Sequence, residues 1–152
     1  MTRRVSVFVL VLGATAVFAA NALAGTRLTR TQYRAMLNGA NASVTRVETA
    51  AERGLTPKAS LAQARALLLA WAGTETRLGK SFRAVAPPRD AVRANTLLWQ
   101  GELKFGSELA FAANHLPKQK AKVRAFLTSR LGNATGARKI DAALALLKKA
   151  GY

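Results

Sequence analysis

Two glutamates occupy positions where the helical pattern of this chain expects apolar side chains. Glu75 and Glu102 each lie in the inward stripe of a predicted helix, and each is preceded within about one turn by a tryptophan, Trp71 or Trp99. A carboxylate is costly to bury without a partner, and facing helices of a bundle use such groups to bind ligands or metals. These four residues therefore form a candidate ligand-binding slot between the second and third helices, and a catalytic carboxylate pair is a further alternative.

The sequence does not supply the companions that metal or catalytic chemistry would need. Bundle sites for two metals add a Glu-x-x-His motif, and no histidine stands three residues after Glu75 or Glu102. His115 is the single histidine and the chain has no cysteine, so a conventional zinc site and a thiolate nucleophile are excluded. We predict no enzyme, no metal and no cofactor. The two glutamates are expected to pair with Arg77, Arg93 or another arginine, and the tryptophans to belong mainly to the core.

The densest run of positive charge comprises four residues of the fourth predicted helix: Lys118, Lys120, Lys122 and Arg124. No acidic residue falls between Glu108 and Asp141, and the whole chain has 24 Lys and Arg against 7 Asp and Glu, a formal net charge of +17. A field of this sign favours anionic partners. We interpret the run as a candidate surface for binding polyanions. An ordinary solvated helix face, and a composition set by high-GC codon usage, are the alternatives.

The first 24 residues have the three parts of a cleavable signal peptide. Arg3 and Arg4 give a positive start, an uncharged and mostly apolar stretch follows, and Ala22-Leu23-Ala24 provides small residues before Gly25. We predict a signal peptide over 1–24 and a basic domain over 25–152, and an uncleaved N-terminal membrane anchor is the alternative. Removal of the two leader arginines leaves a net charge of +15. Outside the cytoplasm, this charge points to anionic envelope polymers and lipid headgroups rather than nucleic acid.

The elements that must position these residues are helical throughout, because apolar residues recur every three or four positions and no strand-like alternation competes. Capping boxes at Thr29–Gln32 and Ser60–Gln63 start the first two helices, and Pro87-Pro88 separates the second from the third. Gly73 and Gly79 are expected to mark close approach of a neighbouring helix. The predicted helices cover about 31–53, 61–85, 88–116, 118–131 and 137–150. The predicted fold is all-α: an antiparallel up-down bundle of four main helices, the last one broken into two pieces.

The segment Leu28-Thr29-Arg30-Thr31-Gln32-Tyr33 and the step Pro87-Pro88 resemble features of a loose group of uncharacterised exported helical proteins of actinobacteria. Those proteins tend to begin the mature domain with Leu-Thr-x-x-x-Tyr and often carry a Pro-Pro step before a long helix. Many of them also have a cysteine in the first helix, which this chain lacks. The resemblance implies a helical bundle in the cell envelope and no established activity.

Together these features predict an exported, non-enzymatic helical bundle that associates with anionic components of the cell envelope or with a partner there. A small-ligand-binding bundle is the main alternative, followed by an enzyme that uses the two carboxylates. A cytoplasmic nucleic-acid binder would require the leader prediction to be wrong. A cavity beside Trp71, Glu75, Trp99 and Glu102 would favour the ligand-binding alternative, and tight packing there would remove it.

Overall fold

The computed structural model describes residues 26–152, so the predicted signal peptide lies outside the described residues. This part of the chain is all-helical and contains no strand, which confirms the predicted fold class. A single 3-10 turn, Arg89–Ala91, precedes the third helix. No helix within 26–152 combines the length and the apolarity needed to cross a membrane. The five helices are α1 (Arg30–Gly54), α2 (Leu61–Ala84), α3 (Val92–Asn114), α4 (Lys120–Leu131) and α5 (Thr135–Lys149).

Both predicted capping boxes are present at the helix starts. In α1, the Gln32 backbone N–H donates to the Thr29 hydroxyl at 3.2 Å, and the Thr29 N–H donates to the Gln32 side chain at 2.9 Å. Ser60 and Gln63 make the same reciprocal pair of hydrogen bonds before α2, at 3.1 and 2.8 Å. Each cap satisfies donors that the first helical turn leaves without partners, and contributes about 1 kcal/mol. α4 lacks this feature, since its N-cap residue Gln119 makes no side-chain capping bond.

Two apolar clusters form the core, and α3 contributes to both of them. The first contains Tyr33, Phe82, Ala91, Ala94, Leu98, Ala143 and Leu147, and thus joins α1, α2, α3 and α5. The second contains Leu68, Ala72, Leu109 and Ala113, and joins α2 to the C-terminal half of α3. Along α2 and α3, the residues between the two clusters include Glu75 and Glu102. The candidate carboxylates therefore separate two apolar regions of one helix pair.

The last two helices pack differently from each other. α5 runs along α3, where Gly136 contacts the backbone of Phe105 and Ile140 contacts Gly101. α4 has no buried residue and reaches the core through half-buried side chains, Leu127 and Leu131, which pack against the second cluster. The expectation that both pieces form one broken helix on the fourth side is therefore not confirmed. Too few apolar residues on α4 face inward for it to pack as α5 does.

Glycines decide how closely α3 approaches its neighbours. A Cβ added to Gly79 of α2 would lie 3.0 Å from the Leu103 backbone nitrogen, and one added to Gly106 of α3 would lie 3.0 Å from the Ala72 carbonyl oxygen. The prediction of close approach at Gly79 is confirmed. The same prediction for Gly73 is wrong, because nothing lies within 4 Å of a Cβ built there. Gly73 is exposed on the outer face of α2.

Candidate functional site

The two sequence-predicted glutamates lie inward and face each other across the contact between α2 and α3. Their exposed fractions are 1 % for Glu75 and 4 % for Glu102. The close helix approach at Gly79 and Gly106, about one turn away on either side, leaves little room between the two backbones. The carboxyl groups are therefore packed into the interior of the protein and are withheld from solvent.

Each buried carboxyl group has one oxygen that the surrounding protein leaves without a partner. The indole Nε1 of Trp71 donates a hydrogen bond to Glu75 Oε1 at 2.6 Å. The Oε2 atoms of Glu75 and Glu102 have no hydrogen-bond partner within the described residues. Both oxygens are acceptors when ionised, and one proton shared between the two carboxyl groups would satisfy both groups at once.

The electrostatic surroundings place this proton on the pair at neutral pH. Burial, followed by the neighbouring Glu75 carboxyl group and its negative charge, raises the pKa of Glu102 to about 10. Two carboxylates in contact in a low-dielectric site cannot both ionise without strong repulsion. Glu102 therefore stays protonated at neutral pH, beside the carboxyl group of Glu75.

The prediction that arginines neutralise these glutamates is wrong. No ion pair involves Glu75 or Glu102 within residues 26–152, and Arg77 donates instead to the hydroxyl of Thr74 at 3.1 Å. Arg77 follows Glu75 by two positions, which places it about 200° around the helix, and its side chain is exposed. Arg93 is likewise exposed. A proton therefore takes the neutralising role that the sequence assigned to a guanidinium group.

A third carboxyl group approaches the same level of the bundle from α1. Glu48 is half-buried, and its pKa is raised by burial first, then by the charge of Glu52 and by that of Glu75. Glu48 was not among the candidate residues predicted from the sequence. No group of three His, Asp or Glu side chains in the described range is arranged to hold a metal ion.

The two tryptophans belong to different regions. Trp71 is half-buried, bonds to Glu75, and packs edge to face on Phe105 with ring centroids 5.7 Å apart. Trp99 packs against the first apolar cluster, and the guanidinium of Arg83 lies 5.4 Å from the centre of its ring. The structure therefore joins Trp71 to the carboxyl pair and places Trp99 outside the hydrogen-bonded group.

Two surface depressions lie away from the proposed ligand slot. One, of about 370 Å³, lies between the start of α2 and the end of α3, beside Arg65 and Asn114. The other, of about 520 Å³, lies beside the α1–α2 connection, next to Lys58 and Gln63. None of the four slot residues lines either depression. Together with the tight approach of α2 and α3, this finding weakens the ligand-binding alternative.

The basic run occupies the exposed beginning of α4. All four side chains are exposed and make no ion pair or hydrogen bond within the described part of the chain: Lys118, Lys120, Lys122 and Arg124. Residues two apart on a helix point about 200° apart, whereas residues four apart share a face. Lys120 and Arg124 therefore lie together on one side of α4, and Lys122 lies on the other side.

An exposed aromatic group links α4 to the end of α3. The Phe111 side chain is 46 % exposed, and its ring stacks on that of His115 with centroids 3.9 Å apart and an interplanar angle of 17°. The guanidinium of Arg130, in the last turn of α4, lies 5.5 Å from the centre of the Phe111 ring. This contact was not predicted from the sequence, because it depends on how α4 turns back towards α3.

A comparison with known protein families, curated proteins and solved structures finds no match for this chain. The resemblance to exported actinobacterial proteins therefore stays a prediction.

Proposed function

We propose that this protein works outside the cytoplasm as a non-enzymatic bundle that binds anionic components of the cell envelope. We further propose that α1, α2, α3 and α5 are the four main helices of an up-down bundle, with α4 as an appendage at one end. The strongest support for this proposal is the different placement of acidic and basic side chains. Four of the seven acidic side chains are buried or hydrogen-bonded within the protein, whereas the basic run of α4 is exposed and makes no ion pair within residues 26–152.

Four of the seven acidic residues show this engagement. Glu75 and Glu102 are buried. Asp90 forms an ion pair with Arg30 at 3.1 Å and accepts a hydrogen bond from Tyr152 at 2.9 Å. The two oxygens of Glu108 accept the backbone N–H groups of Thr135 and Gly136 at 3.1 Å each, which caps the start of α5. Protonation of Glu102 also removes one negative charge from the formal count, so the net charge at neutral pH is more positive by one.

The positive charge of the protein favours anionic partners, and the cellular compartment determines which anionic partners are present. The leader predicted over 1–24 would deliver the protein outside the cytoplasm, where the abundant polyanions are envelope polymers and anionic headgroups. Exposed charges act through long-range attraction that salt screens over about 8–10 Å at ordinary ionic strength. Binding of this kind should be strong at low salt and should weaken steadily as salt is added.

The compartment is tested by producing the full chain in a bacterium and separating cytoplasm, envelope and medium. We expect the protein in the envelope or the medium, with an N-terminus at Gly25 by mass spectrometry. A cytoplasmic protein that still begins at Met1 would overturn the export part of the proposal.

The partner class is tested by co-sedimentation of the processed protein with purified bacterial envelopes at increasing sodium chloride. We expect binding at low salt and release as the salt concentration rises. Envelopes from which the phosphate-containing polymers have been chemically stripped serve as the matched control and should bind less. Binding that ignores both salt and stripping, or no binding at all, would contradict the proposal.

A further inference from the structure

The first half of α4 is the least supported helical segment of the described chain. None of its residues is buried, and its N-cap residue Gln119 supplies no capping hydrogen bond. Its first turn contains no acid but does contain Lys120 and Lys122, with Lys118 just before it. Cations at the positive end of a helix dipole destabilise it, and an absent N-cap leaves backbone donors without protein partners. This segment therefore combines three unfavourable features.

The second half of α4 supplies its attachment to the bundle. Leu127 and Leu131 pack against the second apolar cluster, and Arg130 lies over the ring of Phe111. No comparable contact holds residues 118–122, whose side chains are exposed. Segments with few buried contacts open locally at low cost in free energy. The start of α4, which carries the basic run, can therefore unwind while the remainder of the bundle stays folded.

The distribution of charge around α4 distinguishes between two kinds of anionic partner. A flat anionic bilayer can contact one side of a helix, so it can reach Lys120 and Arg124 together but not Lys122 at the same time. A flexible linear polymer can pass around the helix and contact both sides. Leu127 and Leu131 of α4 already pack against the core, so they are not free for insertion into a bilayer. Charge complementarity therefore favours a flexible chain of closely spaced anions.

We propose that the start of α4 is the docking element for a flexible linear polyanion, such as a phosphate-backbone polymer, and that docking stabilises this half of the helix. The anionic character of the partner rests on the proposed function, whereas the site and the stabilisation are independent of it. Anions placed beside Lys118, Lys120 and Lys122 cancel their mutual repulsion and their unfavourable interaction with the helix dipole. By linkage, a ligand that binds the folded helix better than the open one must stabilise the folded helix.

The test uses the processed protein and long-chain inorganic polyphosphate as the probe. Hydrogen–deuterium exchange is followed by mass spectrometry with and without the probe. At about ten times the dissociation constant, we expect exchange over residues 118–126 to slow by up to about tenfold, and exchange in α3 to stay unchanged. Binding of polyphosphate without any slowing at 118–126 would overturn the docking proposal.

Two variants of equal net charge separate this site from the general field. The first carries the four substitutions of the basic run: K118Q, K120Q, K122Q and R124Q. The second carries four exposed substitutions on other elements: K58Q, K80Q, R89Q and R93Q. We expect the first to lower polyphosphate affinity by about tenfold or more, and the second to lower it clearly less. Equal losses would overturn α4 docking while leaving the proposed function intact.

Vesicles of phosphatidylglycerol provide the comparison with a flat anionic surface. We expect the wild-type protein to bind polyphosphate more tightly than these vesicles at equal anion concentration. Tighter binding to the vesicles would overturn the choice of a linear polymer. Failure to bind polyphosphate, vesicles and untreated envelopes alike would instead contradict the proposed function itself.

Discussion

The layer around Glu75 and Glu102 and the start of α4 both place like charges close together, but they resolve the repulsion in opposite ways. In the buried layer, a proton on Glu102 removes one of two negative charges, and the indole of Trp71 stabilises the other. On α4, the lysines are exposed and have no acidic partner within the described residues, so their mutual repulsion stays in the folded protein. Burial therefore forces neutralisation inside the protein, whereas exposure leaves a charge that an outside partner can neutralise.

The same two regions differ in how firmly the fold holds them. Glycine contacts bring α2 and α3 together around the carboxyl pair, so that layer forms only when both helices are in place. α4 contributes only half-buried side chains, and these pack against one end of the core that the other helices form. Stability should therefore be concentrated in the α2–α3 contact, and adaptability in α4.

The largest expected effect comes from comparing the truncation of one leucine in the α2–α3 contact with the truncation of one leucine on α4. Leu109 is fully buried beside Leu68, so Leu109→Ala should lower the free energy of unfolding by about 2–5 kcal/mol. Leu127 of α4 is half-buried, and Leu127→Ala should cost about 1 kcal/mol or less. Urea unfolding followed by tryptophan fluorescence measures both variants. Equal costs would show that α4 is as integral to the core as α3.

Glu102→Gln tests the shared proton, and its expected effect is a change in the pH dependence of stability rather than a loss of stability at one pH. The folded state holds a proton on Glu102 up to about pH 10, whereas the unfolded chain releases it near the ordinary value of 4.5. The folded state therefore binds more protons between these values, and wild-type stability should fall as pH rises through this window, by at most about 1.4 kcal/mol per pH unit. Below about pH 4.5 this penalty is absent.

Glutamine mimics the protonated acid and cannot ionise, so Glu102→Gln should remove this contribution to the pH dependence. The measurement is the difference in unfolding free energy between wild type and variant from pH 5 to pH 9. Asp141→Asn removes an exposed carboxylate and serves as the matched control, which should leave the slope unchanged. A Glu102→Gln profile parallel to that of the wild type would contradict the shared proton.

The smallest effect concerns the uncapped start of α4. Gln119→Asp places a capping carboxylate at the positive end of the helix and should stabilise α4 locally by about 1 kcal/mol. Hydrogen exchange over residues 118–126 reports the change. Ser129→Asp adds the same charge in the last turn, where the dipole disfavours it, and should give no protection. Equal protection in both variants would mean that net charge, and not the helix end, controls α4.

Local features of this fold could be predicted from the sequence because their partners are near along the chain. The capping boxes at Thr29 and Ser60 join residues three apart, and their hydrogen bonds form as expected. The three-four spacing also placed Glu75 and Glu102 on inward faces, because the pitch of a helix fixes which residues share a side. The positive field follows directly from composition.

Features that depend on which helices meet could not be read in this way. Gly73 and Gly79 look alike in the sequence, yet only Gly79 faces a neighbouring helix. Several arginines near the glutamates in the sequence were candidate partners. In the folded protein the two glutamates instead lie beside each other, because the position of Arg77 on α2 directs its side chain outward. The loose attachment of α4 is likewise a tertiary result, since it reflects the few apolar contacts available at that end of the core.

The amino-acid sequence by itself thus determined the helices, their starts, the inward glutamates and the excess of positive charge, because these depend on spacing and composition. Only the tertiary structure decided that two carboxyl groups share one interior site and that α4 remains at the edge of the bundle. Packing distances between helices set both outcomes, and those distances depend on which small residues happen to face each other.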